Sequence, residues 1–252
     1  MAEPFFTDQQ HTEYFIIRTF EIDHEQCATI PSLIRLMHEA AMQHVIRLKL
    51  SVWDLEKQGI SWVLLRQRLD IDRMPRLGER ISVITYPSGF DRFFTYRDFR
   101  VFDSAQREIA RASSTWVLMD MATRKVRRLP DFILALEHHV PVSELCLPHP
   151  EKRIHSLNNP DRSLDYQVQY FDLDFNQHLN NTLYLKWMLE SLPDEVFMER
   201  RCREVHLEYR AECRWKERVQ AETEIGEDDQ YYHRLLRIED GKELALASTV
   251  WK

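Results

Sequence analysis

Glycine is scarce in this chain, and the few glycines are too widely spaced for several common nucleotide sites. Only five occur among 252 residues, and no two are close enough to form a G-x-G-x-x-G fingerprint or a P-loop. The G-x-S-x-G spacing of a nucleophile elbow is also absent. We therefore expect neither a glycine-cradled dinucleotide or triphosphate site nor a serine nucleophile on such an elbow.

Long apolar runs, a cysteine framework and an excess of positive charge are lacking too. No apolar run approaches the roughly 20 residues of a membrane-spanning helix, and the first ten residues resemble neither a secretory signal nor a transit peptide. The four cysteines form no C-x-x-C pair, which favours reduced thiols. The net charge of -7 argues against nucleic-acid binding. These absences predict a cytoplasmic protein without membrane or nucleic-acid partners.

The hydrophobic pattern predicts one order of elements twice: a strand, a helix and then four strands. In the first half, Thr29 and Pro31 suit the start of a helix that carries an apolar stripe to Leu48. The predicted strands there are Tyr14–Ile22, Trp62–Ile71, Arg80–Tyr86, Phe93–Phe102 and Ala112–Met119, with a turn at Pro87-Ser88-Gly89. The second half is predicted to have a helix over Leu179–Leu192 and strands over Leu164–Phe171, Arg203–Cys213, Arg218–Ile225, Tyr231–Ile238 and Leu244–Trp251.

A proline-rich stretch separates the two halves and predicts the domain boundaries. We expect an N-terminal unit over residues 1–140, a linker over 141–162 and a C-terminal unit over 163–252. One helix wrapped by a curved antiparallel sheet would bury the helix stripe in each unit. The fold class expected is therefore α+β.

The densest group of chemically active side chains lies where the second unit's first strand gives way to its helix. Asp174, Asn176 and His178 follow one another at two-residue spacing, so their side chains can share one side of an extended segment. The helix that begins near Asn180 would aim its free N–H groups at the same place, where they could stabilise an oxyanion. Under the alternative interpretation, the Asp and Asn residues only cap the helix and His178 is a surface imidazole.

A second candidate pair, Glu212 and Cys213, ends a predicted strand. Neighbouring residues in a regular strand point to opposite faces, so both side chains cannot enter one site unless a bulge re-aims one of them. No histidine in the chain has the spacing of a zinc motif. We therefore expect neither a metal ion nor another cofactor.

With these residues in view, the sequence resembles the fatty acyl-ACP thioesterases of plants and bacteria. The resemblance rests on Asp172–Pro193 and Leu207–Cys213, supported by Phe15–Asp23 and by the helix segment His38–Val45. It implies a double hotdog fold in which the C-terminal unit is catalytic and the N-terminal unit selects the acyl chain. It also implies hydrolysis of the acyl-ACP thioester, which releases a free fatty acid and ends elongation.

The same resemblance implies roles for single residues. The family's catalytic Asp, Asn and His fall on Asp174, Asn176 and His178, and its strand residues fall on Glu212 and Cys213. No transit peptide is visible, so the chain looks like a bacterial, cytoplasmic member. The matching segment of the first unit, Phe20–Cys27, lacks the D-x-N-x-H order, which predicts one active site per chain.

The residues leave three hydrolytic routes open. Glu212 and His178 could activate a water while Asn176 positions the water or the carbonyl group. Cys213 could instead be a papain-like nucleophile with His178 as its base. In the third route, Asp174 itself is the base or nucleophile.

Acyl carrier protein, the implied partner, is acidic, so a basic patch should dock it. Two clusters qualify, Arg66/Arg68/Arg73/Arg76/Arg80 and Arg124/Lys125/Arg127/Arg128. The alternatives to this function are a hotdog acyl-CoA thioesterase, a hotdog dehydratase and a non-hydrolytic acyl-binding module. The sequence leaves homodimer formation open.

Overall fold

The computed structural model describes residues 10–140, 145–150 and 153–252. The chain divides into two compact units, Met1–Pro150 and Glu151–Lys252. This division falls inside the segment 141–162, in which the sequence predicted a linker.

The N-terminal unit is one antiparallel sheet with a long helix. Its strands are β1 (His11–Ile16), β2 (Ile60–Ile71), β3 (Arg80–Phe90), β4 (Phe94–Asp103), β5 (Glu108–Asp120) and the two-residue β6 (Val126–Arg127). Its helices are α1 (Ile30–Arg47), α2 (Val52–Glu56) and α3 (Asp131–Leu134), the last continued by a 3-10 turn over Ala135–His139. The strands lie in the order β1-β3-β4-β5-β2, and β6 pairs with β5.

Helix α1 begins where the sequence predicted. The Thr29 hydroxyl accepts a hydrogen bond from the Ser32 N–H, and a proline occupies the first turn. Its apolar stripe is buried, with Leu33, Met37 and Ala40 fully enclosed, and the helix packs on β1 and β3. Burial of this stripe, more than intrinsic propensity, holds an 18-residue helix in place.

The C-terminal unit has the same plan. Its strands are β7 (Arg162–Gln167), β8 (Cys202–Tyr209), β9 (Arg218–Ile225), β10 (Gln230–Arg237) and β11 (Glu243–Trp251), and its helices are α4 (Asn181–Glu190) and α5 (Asp194–Glu199). The strands lie in the order β7-β9-β10-β11-β8. When the five main strands of each unit are numbered along the chain, both units have the same strand order.

Some details of the predicted elements were wrong. Pro87-Ser88-Gly89 is not a turn but lies inside β3, where the register shifts as in a β-bulge. A proline is tolerated at a bulge, because the ladder there does not need its missing N–H. The first strands of both halves are shorter than predicted, and each is followed by a 3-10 turn, at Thr19–Glu21 and Tyr170–Asp172. The short helices α2 and α5 were not foreseen.

The described residues of the predicted linker pack against the units. Asp98 of β4 accepts a hydrogen bond from the Leu147 N–H at 2.7 Å, and the His149 ring stacks on Tyr96. Farther along, Ile154 and Leu157 are buried against Leu246 of β11. The remaining linker residues, 141–144 and 151–152, lie outside the described residues.

Candidate active site

The loop that enters α4 is held by one aspartate. The Asp174 Oδ1 atom accepts hydrogen bonds from the backbone N–H groups of Asn176, at 2.8 Å, and His178, at 3.1 Å. The Asp174 N–H donates in turn to the His178 carbonyl at 2.8 Å. Gln177 takes a left-handed φ of 62° to close the turn. The carboxylate thus fixes the backbone that presents Asn176 and His178.

The N-terminal unit contains the same loop with different side chains at the positions of Asn176 and His178. Asp23 Oδ1 accepts from the N–H groups of Glu25 at 2.9 Å and Cys27 at 3.0 Å, and Gln26 has a φ of 63°. Glu25 therefore stands where Asn176 does, and Cys27 where His178 does. Because a loop without the D-x-N-x-H order has the same geometry, the aspartate contacts are a requirement of the loop conformation.

The second half of the site comes from the segment after β8. That strand ends at Tyr209, and the N–H groups of Arg210 and Ala211 both donate to the Leu244 carbonyl, at 2.9 and 3.1 Å. Arg210 and Ala211 therefore both lie opposite Leu244, as two residues lie opposite one in a β-bulge. The predicted strand over 203–213 was too long, and strict alternation does not apply to Glu212 and Cys213.

This segment lies directly against the loop. The Leu179 N–H donates to the Cys213 carbonyl at 2.8 Å, and His178 pairs with Arg214 as an isolated β-bridge. The Glu212 carbonyl accepts from the Arg237 guanidinium at 2.8 Å. Backbone contacts therefore fix both sides of the site relative to each other.

His178 and Glu212 meet across this junction. The His178 Nε2 atom lies 3.3 Å from Glu212 Oε2, and the two side chains are 21% and 35% exposed. An imidazole and a carboxylate at this distance can share or pass a proton, and their exposure admits water and a substrate. This pair is the part of the predicted site that can do acid–base chemistry.

Cys213 is placed differently from Glu212. Its side chain is fully buried, and burial, together with the neighbouring Glu217 carboxylate, raises the pKa of the thiol to about 12. A thiolate is the nucleophilic form of cysteine, so a thiol with such a pKa is poorly suited to attack.

Asp174 and Asn180 have local structural duties. Burial raises the pKa of Asp174, although the hydrogen bonds from His178 and Asn176 oppose that shift. The Asn180 side chain caps α4 by accepting from the Thr182 N–H at 3.0 Å, and the Leu183 N–H donates to the Asn180 carbonyl at 2.9 Å. Two of the helix-start amides expected to stabilise an oxyanion are therefore already bonded.

Sequence reasoning missed three residues that support the site. The Tyr184 hydroxyl donates to the Ala211 carbonyl at 3.2 Å, and the Tyr209 hydroxyl donates to the Asn181 carbonyl at 3.0 Å. These two bonds tie the start of α4 to the segment that carries Glu212. The third, Arg237, lies far along the chain on β10, so no local motif could have revealed it; Tyr184 and Tyr209 flank the motifs and could have been noticed.

The two predicted basic clusters differ in the exposure and ion pairing of their side chains. In the first, Arg73 is paired with Glu79 at 2.6 Å and Asp103 at 2.9 Å, so this side chain serves the fold. In the second, residues 121–128 are all exposed, although Arg127 lies 3.7 Å from Asp120.

Within residues 10–140, 145–150 and 153–252, no group of three His, Cys, Asp or Glu residues is arranged to hold a metal ion. In the same ranges, no helix has the length and apolar character needed to span a membrane.

Comparison with known proteins covers both units. The family model for the acyl-ACP thioesterase N-terminal domain matches residues 8–136, and the model for the acyl-ACP thioesterase C-terminal domain matches residues 156–252. An acyl-[acyl-carrier-protein] hydrolase of Cuphea viscosissima, described as chloroplastic, is 31% identical over 94% of this chain and 61% of its own length. The chain spans between 61% and 65% of the first plant relatives.

Solved structures agree in fold. An acyl-ACP thioesterase from Bacteroides thetaiotaomicron matches with a TM-score of 0.82 and 23% identity, covering 100% of both chains. The 12:0-ACP thioesterase from Umbellularia californica matches with a TM-score of 0.85 and 24% identity over 97% of each chain. The predicted α+β fold with two hotdog units is thereby confirmed. The chain belongs to the acyl-ACP thioesterase family.

Proposed function

We propose that this protein hydrolyses the thioester that joins a fatty acyl group to acyl carrier protein. The observation that carries the proposal is the partly exposed pair His178 and Glu212, with Nε2 and Oε2 3.3 Å apart. Hydrolysis needs a group that accepts a proton from water and a group that returns one to the leaving sulfur. This pair supplies both.

The proposed reaction has two proton transfers. The water oxygen attacks the carbonyl carbon while Glu212, together with His178, takes its proton. The carbon–sulfur bond then breaks, and the protonated pair returns the proton to the sulfur of the carrier's prosthetic group. Free fatty acid and a carrier with a free thiol result. Asn176, exposed on the same loop, is assigned to position the water or the carbonyl group.

The two rival routes fit the geometry less well. A Cys213 nucleophile would need a thiolate, but the side chain is buried and its pKa is raised to about 12. Asp174 has a structural role instead, because its Oδ1 atom accepts the same two backbone hydrogen bonds that Asp23 accepts in the other unit. The arrangement therefore favours water activated by Glu212 and His178.

The choice of acyl carrier protein over coenzyme A follows the names of the family and of the similar plant proteins. In this proposal the C-terminal unit performs the reaction, since the N-terminal copy of the loop has Glu25 and Cys27 in place of Asn176 and His178. Selection of the acyl chain is assigned to the N-terminal unit on the family resemblance. Location in a bacterial cytoplasm stays a prediction, as does dimer formation.

A thiol-release assay tests the proposal. The purified protein is incubated with acyl-ACP thioesters of several chain lengths and with the matching acyl-CoA esters, and the free thiol is titrated over time. We expect thiol release from acyl-ACP that is lost in His178→Ala. Release from acyl-CoA alone would support the acyl-CoA thioesterase. Binding without release, or dehydration of a 3-hydroxyacyl substrate, would support the acyl-binding module or the dehydratase.

A further inference from the structure

Three aromatic side chains stand exposed in a row on the C-terminal unit. Phe171 is 96% exposed, Tyr170 is 64% exposed and Trp215 is 49% exposed. The centroid of the Tyr170 ring lies 5.5 Å from that of the Phe171 ring and 5.8 Å from that of the Trp215 ring, both in edge-on geometry. Exposed aromatic side chains in one patch mark an interaction surface more often than scattered apolar residues do.

These aromatic residues lie next to the candidate site in the sequence. Tyr170 and Phe171 belong to the 3-10 turn that ends two residues before Asp174. Trp215 follows Arg214, which pairs with His178 through an isolated β-bridge. The turn over 214–217 is itself fixed, since the Arg214 N–H donates to the Glu217 carboxylate at 2.8 Å and the Lys216 N–H donates to the Val168 carbonyl at 3.0 Å. The surface is therefore preformed.

The charge exposed beside these rings is positive. Arg214 and Lys216 are exposed, and the Lys216 ammonium lies 4.6 Å from the centroid of the Trp215 ring. The nearby carboxylates are engaged in the fold: Glu217 accepts from the Arg214 backbone N–H and from the Arg237 guanidinium, and Asp172 accepts from the Gln169 backbone N–H at 2.7 Å. On a chain of net charge -7, this is a local basic surface around an apolar centre.

We propose that these five residues, Tyr170, Phe171, Arg214, Trp215 and Lys216, dock the acidic carrier protein that presents the acyl thioester. We call this surface the aromatic rim. The inference rests on the proposed function, because a carrier must dock close to the pair that acts on its thioester. The two cations complement an acidic partner, and rigid aromatic side chains with an adjacent cation are typical of the residues that contribute most to binding.

The N-terminal unit offers a matched control. Phe20, at the corresponding position of its own 3-10 turn, is 73% exposed, and Leu77, the counterpart of Trp215, is 41% exposed. The Arg18 guanidinium lies 4.7 Å from the centroid of the Phe20 ring. This copy has a similar apolar and basic character but lies beside the loop that lacks the His–Glu pair.

The test measures affinity for the carrier directly. Holo-carrier protein, without an acyl group, is titrated calorimetrically into the wild-type chain, Phe171→Ala, Lys216→Glu, and the controls Phe20→Ala and Arg127→Glu. We expect Phe171→Ala and Lys216→Glu each to raise the Kd at least tenfold, and the controls to change it less than twofold. The ratio of kcat/KM for acyl-carrier to that for acyl-N-acetylcysteamine should fall by the same factor. Circular dichroism verifies that each variant is folded.

Several outcomes would overturn the aromatic rim. Equal losses in Phe20→Ala and Phe171→Ala would show that exposed aromatic surface acts without regard to position. A loss confined to Arg127→Glu would place docking on the 124–128 cluster. Unchanged carrier affinity, with lost binding to vesicles of anionic phospholipid, would make the surface a membrane contact. Tenfold losses of carrier binding in a chain that hydrolyses no thioester would support the rim and refute the proposed function instead.

Discussion

Replacing Glu212 by Gln removes one charge from the site and little else. At the 3.3 Å separation of His178 Nε2 and Glu212 Oε2, a carboxylate and an imidazolium attract each other by about 1 to 5 kcal/mol, for an effective dielectric constant between about 80 and 20. If this interaction exists only when the imidazole has taken a proton, its loss lowers kcat about tenfold to several thousandfold. Loss of a general base costs about 10²- to 10⁴-fold, which overlaps that range.

The assay is steady-state thiol release from acyl-ACP, with kcat and KM determined separately. Glu212→Gln should lower kcat while KM for the acyl-carrier changes less than threefold, because the proposed carrier surface does not include Glu212. Cys213→Ala is the matched variant, one residue away and fully buried; it should keep kcat within about threefold and lose stability through the cavity left behind. A Glu212→Gln protein with wild-type kcat, beside a Cys213→Ala protein reduced a hundredfold, would refute the reasoning and favour the cysteine route.

Three further expectations follow from burial and from the repeated loop. With a pKa of about 12, the Cys213 thiol is only about 10⁻⁴ ionised at pH 8, so iodoacetamide should label it in the folded protein far more slowly than in urea; rapid native labelling by mass spectrometry would contradict this. The pKa of His233 is lowered to about 3, mainly by burial, so on acidification the unfolded state binds the proton before the folded state does. The free energy of unfolding should therefore fall by up to about 1.4 kcal/mol per pH unit as the pH is lowered from roughly 6.5 to 3. His233→Gln should reduce that slope in urea titrations, and an unchanged slope would show that His233 does not contribute to the pH dependence of stability. Cys27→Ala should leave kcat unchanged while Asp23→Ala lowers the free energy of unfolding by about 1–3 kcal/mol; a fall in kcat in the first variant would indicate a second active site.

Elements with a strong period were predictable from the sequence. Helix α1 begins at Ile30, after the capping residue Thr29, as predicted, since the cap and an unbroken apolar stripe indicate the same start. The strands β9 and β11 lie within one residue of their predicted bounds. Local preference and tertiary packing agree in these places.

Errors occurred where long-range contacts override the local pattern. Pro87 and Gly89 favour a turn locally, but pairing of β3 with β4 places them in a bulge. The end of β8 at Tyr209 depends on the Leu244 carbonyl from β11, which no nearby residue indicates. For the same reason, the sequence predicts Glu212 and Cys213 as a pair, and only the three-dimensional structure distinguishes the partly exposed carboxylate from the buried thiol.

The paired aspartate loops show that the two units use one loop conformation to present different side chains. Asp23 and Asp174 make the same contacts, so the turn occurs in both units, while the D-x-N-x-H order occurs only in the C-terminal loop. Under the proposed function, replacing Glu25 or Cys27 should leave turnover unchanged, provided that Asp23 is retained. Among relatives, we therefore expect the residues at positions 25 and 27 to vary more than the aspartate at position 23.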